Sequence, residues 1–402
     1  MTKETISAII LCYHKFDFIY DAILSVLEQD YESIELIISD DGSPHFPEDD
    51  IRAFIQKNKK ANIVNAIYNH ETENIGTVKH LNHAISLANG DYIMALAADD
   101  LLFDKSVLRN YVVGFKKAGK DCYIEMAQTA MCDYDMEKTE GYYLQPQIRE
   151  ILEDNRKGDS SNRLFSLLAY KPYLPSTSTC FKKEFFSKFG KFDERYVLVE
   201  DIPMHLRLAR ESWEIHYENF IAIKHRTGGI SHGNTDGLSK SKFLYLNDLL
   251  NIRQNEIIPY YYMIDPSILD DVKNVAYAER LWAKSQLHLY QHSRKLHFDY
   301  IKEFWPHIVK MHFLNNRWKF LYLSHFFFKK SVIMLVLAPI VKYVMEMLLL
   351  GMDKNTSGLI LSFCYGISFL MLGISVVYKS LEIVGTILAK IESFPDETLI
   401  IG

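Results

Sequence analysis

The chain has 402 residues, 48% hydrophobic and 24% charged, a composition that can bury a sizeable core and excludes a disordered tail protein. Lys and Arg number 45 against 51 Asp and Glu, a formal net charge of −6, so the chain as a whole has no basic signature and no nucleic-acid partner is expected. Five cysteines (Cys12, Cys122, Cys132, Cys180, Cys364) are scattered without C-x-x-C spacing, which points to reduced, mostly buried thiols in a cytosolic setting rather than a disulfide framework or a zinc site.

The opening "MTKETISAIILCYHK" has a short apolar run that fits a first strand and no small-residue cleavage site, so it reads as fold and not as a signal peptide. "ISAIIL" (6–11) and "IELIIS" (34–39) are β-rich apolar runs, and "FIYDAILSVLEQ" between them places apolar residues at helical spacing. That is a βαβ unit. The pattern repeats with "NIVNAIY" as strand, "TVKHLNHAISLA" as helix closed by Asn89-Gly90, "YIMALA" as strand, and a helix from about 104 to 117. An α/β fold follows, with a mostly parallel sheet covered by helices on both faces. Such sheets bind ligands beyond the carboxyl ends of their strands.

Polar residues gather at those strand ends. They are Tyr13 and His14 after strand one, "SDDGS" (39–43) after strand two, "NIG" (74–76) in a loop, and Asp99-Asp100 after strand four. Adjacent carboxylates at the tip of an apolar strand repel each other unless a cation stands between them. "YVLVEDIPMHLRLAR" then puts Glu200 and Asp201 at the start of a helix whose apolar residues include Met204, Leu206 and Leu208.

The runs "ISAIILCYHKFDFIYDAILSVLEQDYESIELIISDDGS", "ENIGTVKHLNHAISLANGDYIMALAADD" and "VEDIPMHLRL", in that order and spacing, resemble the family 2 glycosyltransferases of GT-A fold over roughly residues 5–235. The resemblance implies a nucleotide-diphospho-sugar donor, UDP- or dTDP-type favoured, a divalent cation (Mn²⁺ or Mg²⁺), and inversion at the anomeric carbon. Asp41 matches the aspartate that accepts the base N3–H, and Tyr13 an aromatic that stacks on the base. Asp99 and Asp100 match the D-x-D metal motif, whose leading aspartate is replaced here by Ala97. One of the two is expected to bind metal while the other meets the ribose or a metal-bound water. Asp201 matches the general base, with Glu200 its neighbour and rival. The stretch "IKHRTGGISHGN" (223–234) reads as a loop that closes over the diphosphate, with Lys224, Arg226 and His232 as its nucleotide-binding cations.

Beyond about residue 240 composition takes over. From Glu279 to Lys330 ten Lys or Arg stand against three acids, interleaved with aromatics, and the segment runs into an apolar stretch, which favours an anionic membrane surface. "GLILSFCYGISFLMLGISVVY" (358–378) has no charge and would span about 31 Å as a helix. Residues 331–351 form a weaker span, because Lys342 and Glu346 lie inside it. Lys329-Lys330 before and Lys379 after place both ends of this hairpin on the cytoplasmic side.

The expected organisation is a glycosyltransferase domain (1–238), a basic-aromatic juxtamembrane region (239–330) and a membrane hairpin with tail (331–402). The expected activity adds one sugar to a lipid-linked glycan or polysaccharide acceptor at the inner face of the cell membrane, with homo-oligomerisation left open. "HLRLARESW" lacks the Q-x-x-R-W motif of processive synthases. Two alternatives stand beside this reading: a polyprenyl-phosphate sugar synthase, and a membrane scaffold that binds nucleotide-sugar without turnover.

Overall fold

The computed structural model describes residues 3–153, 159–171, 174–227, 240–276, 279–280, 328–332, 362, 365–380 and 383. They belong to two compact units, Met1–Ser293 and Arg294–Gly402.

The first unit begins with β1 (Ile6–Cys12), α1 (Ile19–Leu27), β2 (Ile34–Asp40), α2 (Glu48–Asn58), β3 (Ile63–His70), α3 (Thr77–Leu87) and β4 (Tyr92–Ala97). The apolar runs expected to be strands are strands, each within two residues of the expected ends. β1 lies between β2 and β4, parallel to both, and all three are almost wholly buried because helices cover both faces. Along β1 the side chains alternate: Ile6, Ala8 and Ile10 pack into the core under α1 and α2, while Ile9 faces the opposite core with α3. The register sets Cys12 against Asp40 and Leu11 against Ala97. The three strands therefore end level, and whatever follows them emerges at one edge.

After β5 (Leu101–Leu102) and α4 (Val107–Ala118) come β6 (Ile124–Cys132), β7 (Thr139–Tyr142), α5 (Pro146–Glu153), α6 (Asp159–Tyr170), β8 (Thr179–Lys182), α7 (Lys183–Lys188), α8 (Asp201–Arg210), β9 (His216–Arg226) and α9 (Lys240–Ile252). The strand order is β3-β2-β1-β4-β8-β6-β9-β5, with β7 on β6. The sheet is parallel across β3-β2-β1-β4, as the repeated βαβ pattern suggested, and mixed beyond it: β8 runs antiparallel to both β4 and β6, and β5 and β7 are antiparallel additions. A correction concerns 223–226. These residues are the end of β9, paired with β6 and β5, and not part of a loop. Charged and polar side chains along "HYENFIAIKHR" hide the strand period, yet Ala222 and Ile223 are buried. His232 and the rest of 228–239 lie outside the described residues.

In the second unit residues 328–332 and 365–380 are helical. Ser331 and Ser368 each donate a hydroxyl hydrogen bond to the other's carbonyl oxygen at 2.9 Å, while Phe369, Leu370, Val376 and Val377 are exposed. Among the described residues no helix is long and apolar enough to cross a membrane. Most of the two expected spans, and most of the basic-aromatic segment, lie outside the described residues.

Candidate active site

A cavity of about 400 Å³ opens at the level edge of β1 and β4. Its lining brings together Tyr13, Asp41, Ala97, Glu200 and Asp201, which are separated by up to 188 positions in sequence, and α9 contributes Lys240, Ser241 and Leu244.

The two aspartates after β2 have separate tasks. Asp40 satisfies the turn: its carboxylate accepts Ser43 N–H at 2.7 Å, Ser43 Oγ–H at 2.6 Å and pairs with His70 Nδ1 at 2.9 Å. Asp41 is left for the cavity. Its carboxylate accepts from Asn74 Nδ2 (2.9 Å), Ile75 N (2.8 Å) and Gly76 N (3.2 Å), which leaves one acceptor direction of roughly four unused. Burial raises its pKa despite those donors, with Glu71 and Asp40 adding to the rise. Gly42 (φ 74°) and Gly76 (φ 89°) hold left-handed backbone here, and a Cβ on Gly42 would sit 2.3 Å from the Glu73 carbonyl carbon. Tyr13 is 44% exposed and touches the His14 ring edge-on.

Asp99 and Asp100 also diverge. Asp100 is fully buried, pairing with His225 Nδ1 at 2.9 Å and accepting Arg226 N–H at 3.1 Å. Asp99 keeps a partly exposed carboxylate to which, among the described residues, no other side chain donates a hydrogen bond. Burial and the neighbouring Asp100 raise its pKa. The Arg226 guanidinium lies 3.5 Å from the Phe18 ring centroid and donates to the Asp99 and Tyr134 carbonyl oxygens. Arg226 thus holds the metal-motif turn against β9 instead of reaching outward. Lys224 sits across from Leu101 with its Nζ 5.7 Å from the Phe103 ring, and neither Lys224 nor Arg226 lines the cavity.

Glu200 precedes α8 and Asp201 is its first residue, so both meet the positive end of the helix. Asp201 Oδ1 accepts Ile202 N–H at 2.8 Å. Both are hemmed in by protein at the cavity wall. Burial lifts Glu200 to about 8, with the Asp201 charge adding to the rise, and lifts Asp201 to about 6. Two adjacent buried carboxyls disfavour double ionisation, so the pair as a unit holds on to a proton more readily than a free carboxylate does.

Four contributors carry no motif of their own. Asn74 bonds Asp41, as above. His80 lines the cavity and bonds Ser39 Oγ at 2.7 Å, and His205 lies one helical turn beyond Asp201; burial keeps both imidazoles neutral, at about 4 and about 3. Helical i, i+4 spacing from Asp201 could have singled out His205. The fourth is Asp248 on α9, whose Oδ2 accepts the backbone N–H groups of Val197 (2.9 Å), Leu198 (2.6 Å) and Val199 (3.2 Å). That loop also meets the turn beneath Asp41, because Val78 N–H donates to the Val197 carbonyl and Gly76 leaves room for Val197. A continuous set of contacts runs from Asp41 through Gly76 and Val197 to Asp248, and the loop so fixed leads directly into Glu200 and Asp201.

Residues 7–125 match the family model described as Glycosyl transferase family 2. An uncharacterized glycosyltransferase of Rickettsia typhi is 26% identical over 258 residues, covering 63% of this chain and 74% of that protein. The poly-beta-1,6-N-acetyl-D-glucosamine synthase of Staphylococcus aureus is 36% identical over 99 residues, covering 25% of this chain and only 23% of the synthase. The solved S. aureus TarS 1–349 in complex with UDP-GlcNAc aligns with TM-score 0.48 at 14% identity, over 70% of this chain and 80% of that one. The match to the family 2 glycosyltransferase model thus covers residues 7–125, the first part of the first unit.

Proposed function

We propose that the chain is an inverting glycosyltransferase that moves one sugar from a UDP- or dTDP-type donor to a hydroxyl of a lipid-linked or polysaccharide acceptor. The observation that carries the reading is the pair of carboxyls, Glu200 and Asp201, in the wall of the same cavity that Asp41 and Tyr13 line. In single-displacement transfer the attacking hydroxyl must lose its proton as the bond to the anomeric carbon forms. An anionic carboxylate within reach takes it. We assign that task to Asp201, the first residue of α8 at the helix's positive end; the Asp201 charge beside Glu200 favours the protonated form of the glutamate.

In the same cavity lining Asp41 offers its unused acceptor direction to an N–H of a planar base, and Tyr13 offers a ring face for stacking. The Asp99 carboxylate, which accepts no side-chain hydrogen bond among the described residues and stands beside Asp100, fits a divalent cation such as Mn²⁺ or Mg²⁺. When bound, such an ion neutralises charge on the departing diphosphate. Asp100, closed off by His225 and Arg226, would orient that turn.

The exposed Phe369, Leu370, Val376 and Val377 on residues 365–380 support a membrane-facing second unit, and the chain's place at the cytoplasmic face of the cell membrane is part of this proposal. The similarity to a polysaccharide synthase supports a glycan acceptor.

The test is a screen of labelled nucleotide-sugars against the full chain in detergent with Mn²⁺ or Mg²⁺, with and without lipid-linked acceptor. Transfer to a glycan hydroxyl supports the reading. Transfer only to bare polyprenyl phosphate, or donor binding with neither hydrolysis nor transfer, overturns it.

A further inference from the structure

At the opposite edge of the sheet from the sugar-transfer cavity, where β6 and β9 begin, Cys122, Glu125 and His216 place a thiol, a carboxylate oxygen and an imidazole nitrogen within 4.8 Å of one another. Glu125 is fully buried on β6. One carboxylate oxygen pairs with His216 Nδ1 at 3.2 Å. Among the described residues the other has no hydrogen-bond partner. A buried carboxylate with half of its capacity unmet is strongly unfavourable unless a proton or a cation completes it.

The surroundings make room for that carboxylate. α4 passes over it with Gly114, where a Cβ would stand 2.3 Å from Glu125 Oε2. The parallel register sets Glu125 directly across from His216, and Cys122, 6% exposed, precedes the strand by two residues. His216 is only partly buried, which leaves a route from solvent.

We propose that Cys122, Glu125 and His216 form a binding site for a single Zn²⁺ ion, distinct from the divalent-cation position expected at Asp99. One sulfur, one nitrogen and one oxygen suit borderline-soft Zn²⁺ better than Mg²⁺ or Ca²⁺, which prefer all-oxygen shells. Three protein ligands leave a fourth tetrahedral position for water. Binding would displace the Cys122 thiol proton to solvent, and the proton shared between Glu125 and His216 Nδ1 would pass to solvent or to the imidazole Nε2, which frees the carboxylate and one ring nitrogen for the metal. Because the ligands come from the approach to β6, from β6 itself and from β9, the ion would staple the two strands far from the sugar-transfer chemistry. Sequence spacing gives no sign of this site, since only one cysteine takes part and the histidine lies 91 positions beyond the glutamate.

The test uses the full chain in detergent, stripped with chelator and titrated with Co²⁺ in the presence of millimolar Mg²⁺, which fills the oxygen-rich position. A thiolate-to-cobalt charge-transfer band that saturates at one equivalent, is displaced by Zn²⁺, and is lost in Cys122→Ser but kept in Cys132→Ser supports the site. The wild-type titration stands even where a variant folds poorly. No thiolate band in the wild-type chain near neutral pH, or a band that survives Cys122→Ser, overturns the proposal. As a second reading, Zn²⁺ should raise the melting temperature of the wild-type chain and leave that of Glu125→Gln unchanged; an equal rise in both contradicts it.

Discussion

Asp248 offers a direct way to separate the positioning of the catalytic carboxylate from its chemistry. Asp248→Ala removes the one oxygen that holds the N–H groups of Val197, Leu198 and Val199. The Val199 bond is buried, so its donor is stranded at a cost of about 1–3 kcal/mol, whereas the other two are partly buried and water can replace them, a loss of about 0.5–1.5 kcal/mol each. The sum is about 2–6 kcal/mol, which corresponds to a fall in melting temperature of about 3–10 °C for a unit of this size. Release of the loop also lets Asp201 drift, and a displacement of about 1 Å at a reacting group can cost about 10²-fold in rate. The assay pairs a thermal melt with kcat and donor Kd below the melting range. Stability and kcat should both fall, and donor Kd should change less than kcat, because Asp41 keeps its bonds from Asn74 and Ile75. A variant with wild-type melting and wild-type kcat would refute the positioning argument.

Other perturbations test other parts. Asp201 must be anionic to act, so kcat should fall as pH drops through about 6; a limb near 8 that disappears in Glu200→Gln would instead make Glu200 the base. Asp99→Ala should raise the Mn²⁺ concentration needed for half-maximal activity at least about 10-fold, while Asp100→Asn should chiefly lower the melting temperature through loss of its His225 and Arg226 bonds, as parallel titrations and melts would reveal. Gly76→Ala combines a positive φ with a Cβ 2.8 Å from Val197 Cγ1, and should destabilise the first unit by about 1–3 kcal/mol in a denaturant melt.

The first half of the catalytic unit is legible because β1, β2 and β4 are buried on both faces and so are continuous apolar runs, with helices between them at clear 3.6-residue spacing. α2 escapes that reading since only Ile51 and Ile55 of "EDDIRAFIQKN" are buried. β6 and β9 escape it because buried Glu125, Gln128 and Thr129, and the cationic end of β9, interrupt the apolar pattern. Pairing geometry makes a strand of such residues, and that geometry is not local. The same limit governs the site. Tyr13, Asp41, Glu200 and Asp201 are named by motif and line one cavity, whereas Lys224 and Arg226 are named by charge and turn inward to hold β5 and the Asp99 turn. What divides the paired aspartates is which carboxylate the neighbouring chain engages: Ser43 is local to Asp40, but His70 comes from 30 positions away and Arg226 from 126 positions beyond Asp100. Asp248 is invisible for a related reason: backbone N–H groups are its partners, and every residue but proline has one.

The central claim is that Asp201 takes the acceptor's proton while Asp41 and Tyr13 hold the base of the donor. The most direct measurement is donor Kd and kcat, side by side, for Asp201→Asn, which keeps the shape of the side chain and removes its basicity. The account predicts a kcat lower by about 10²- to 10⁴-fold with donor Kd within about twofold of wild type. A variant that retains near wild-type kcat, or whose only defect is in donor binding, would contradict it.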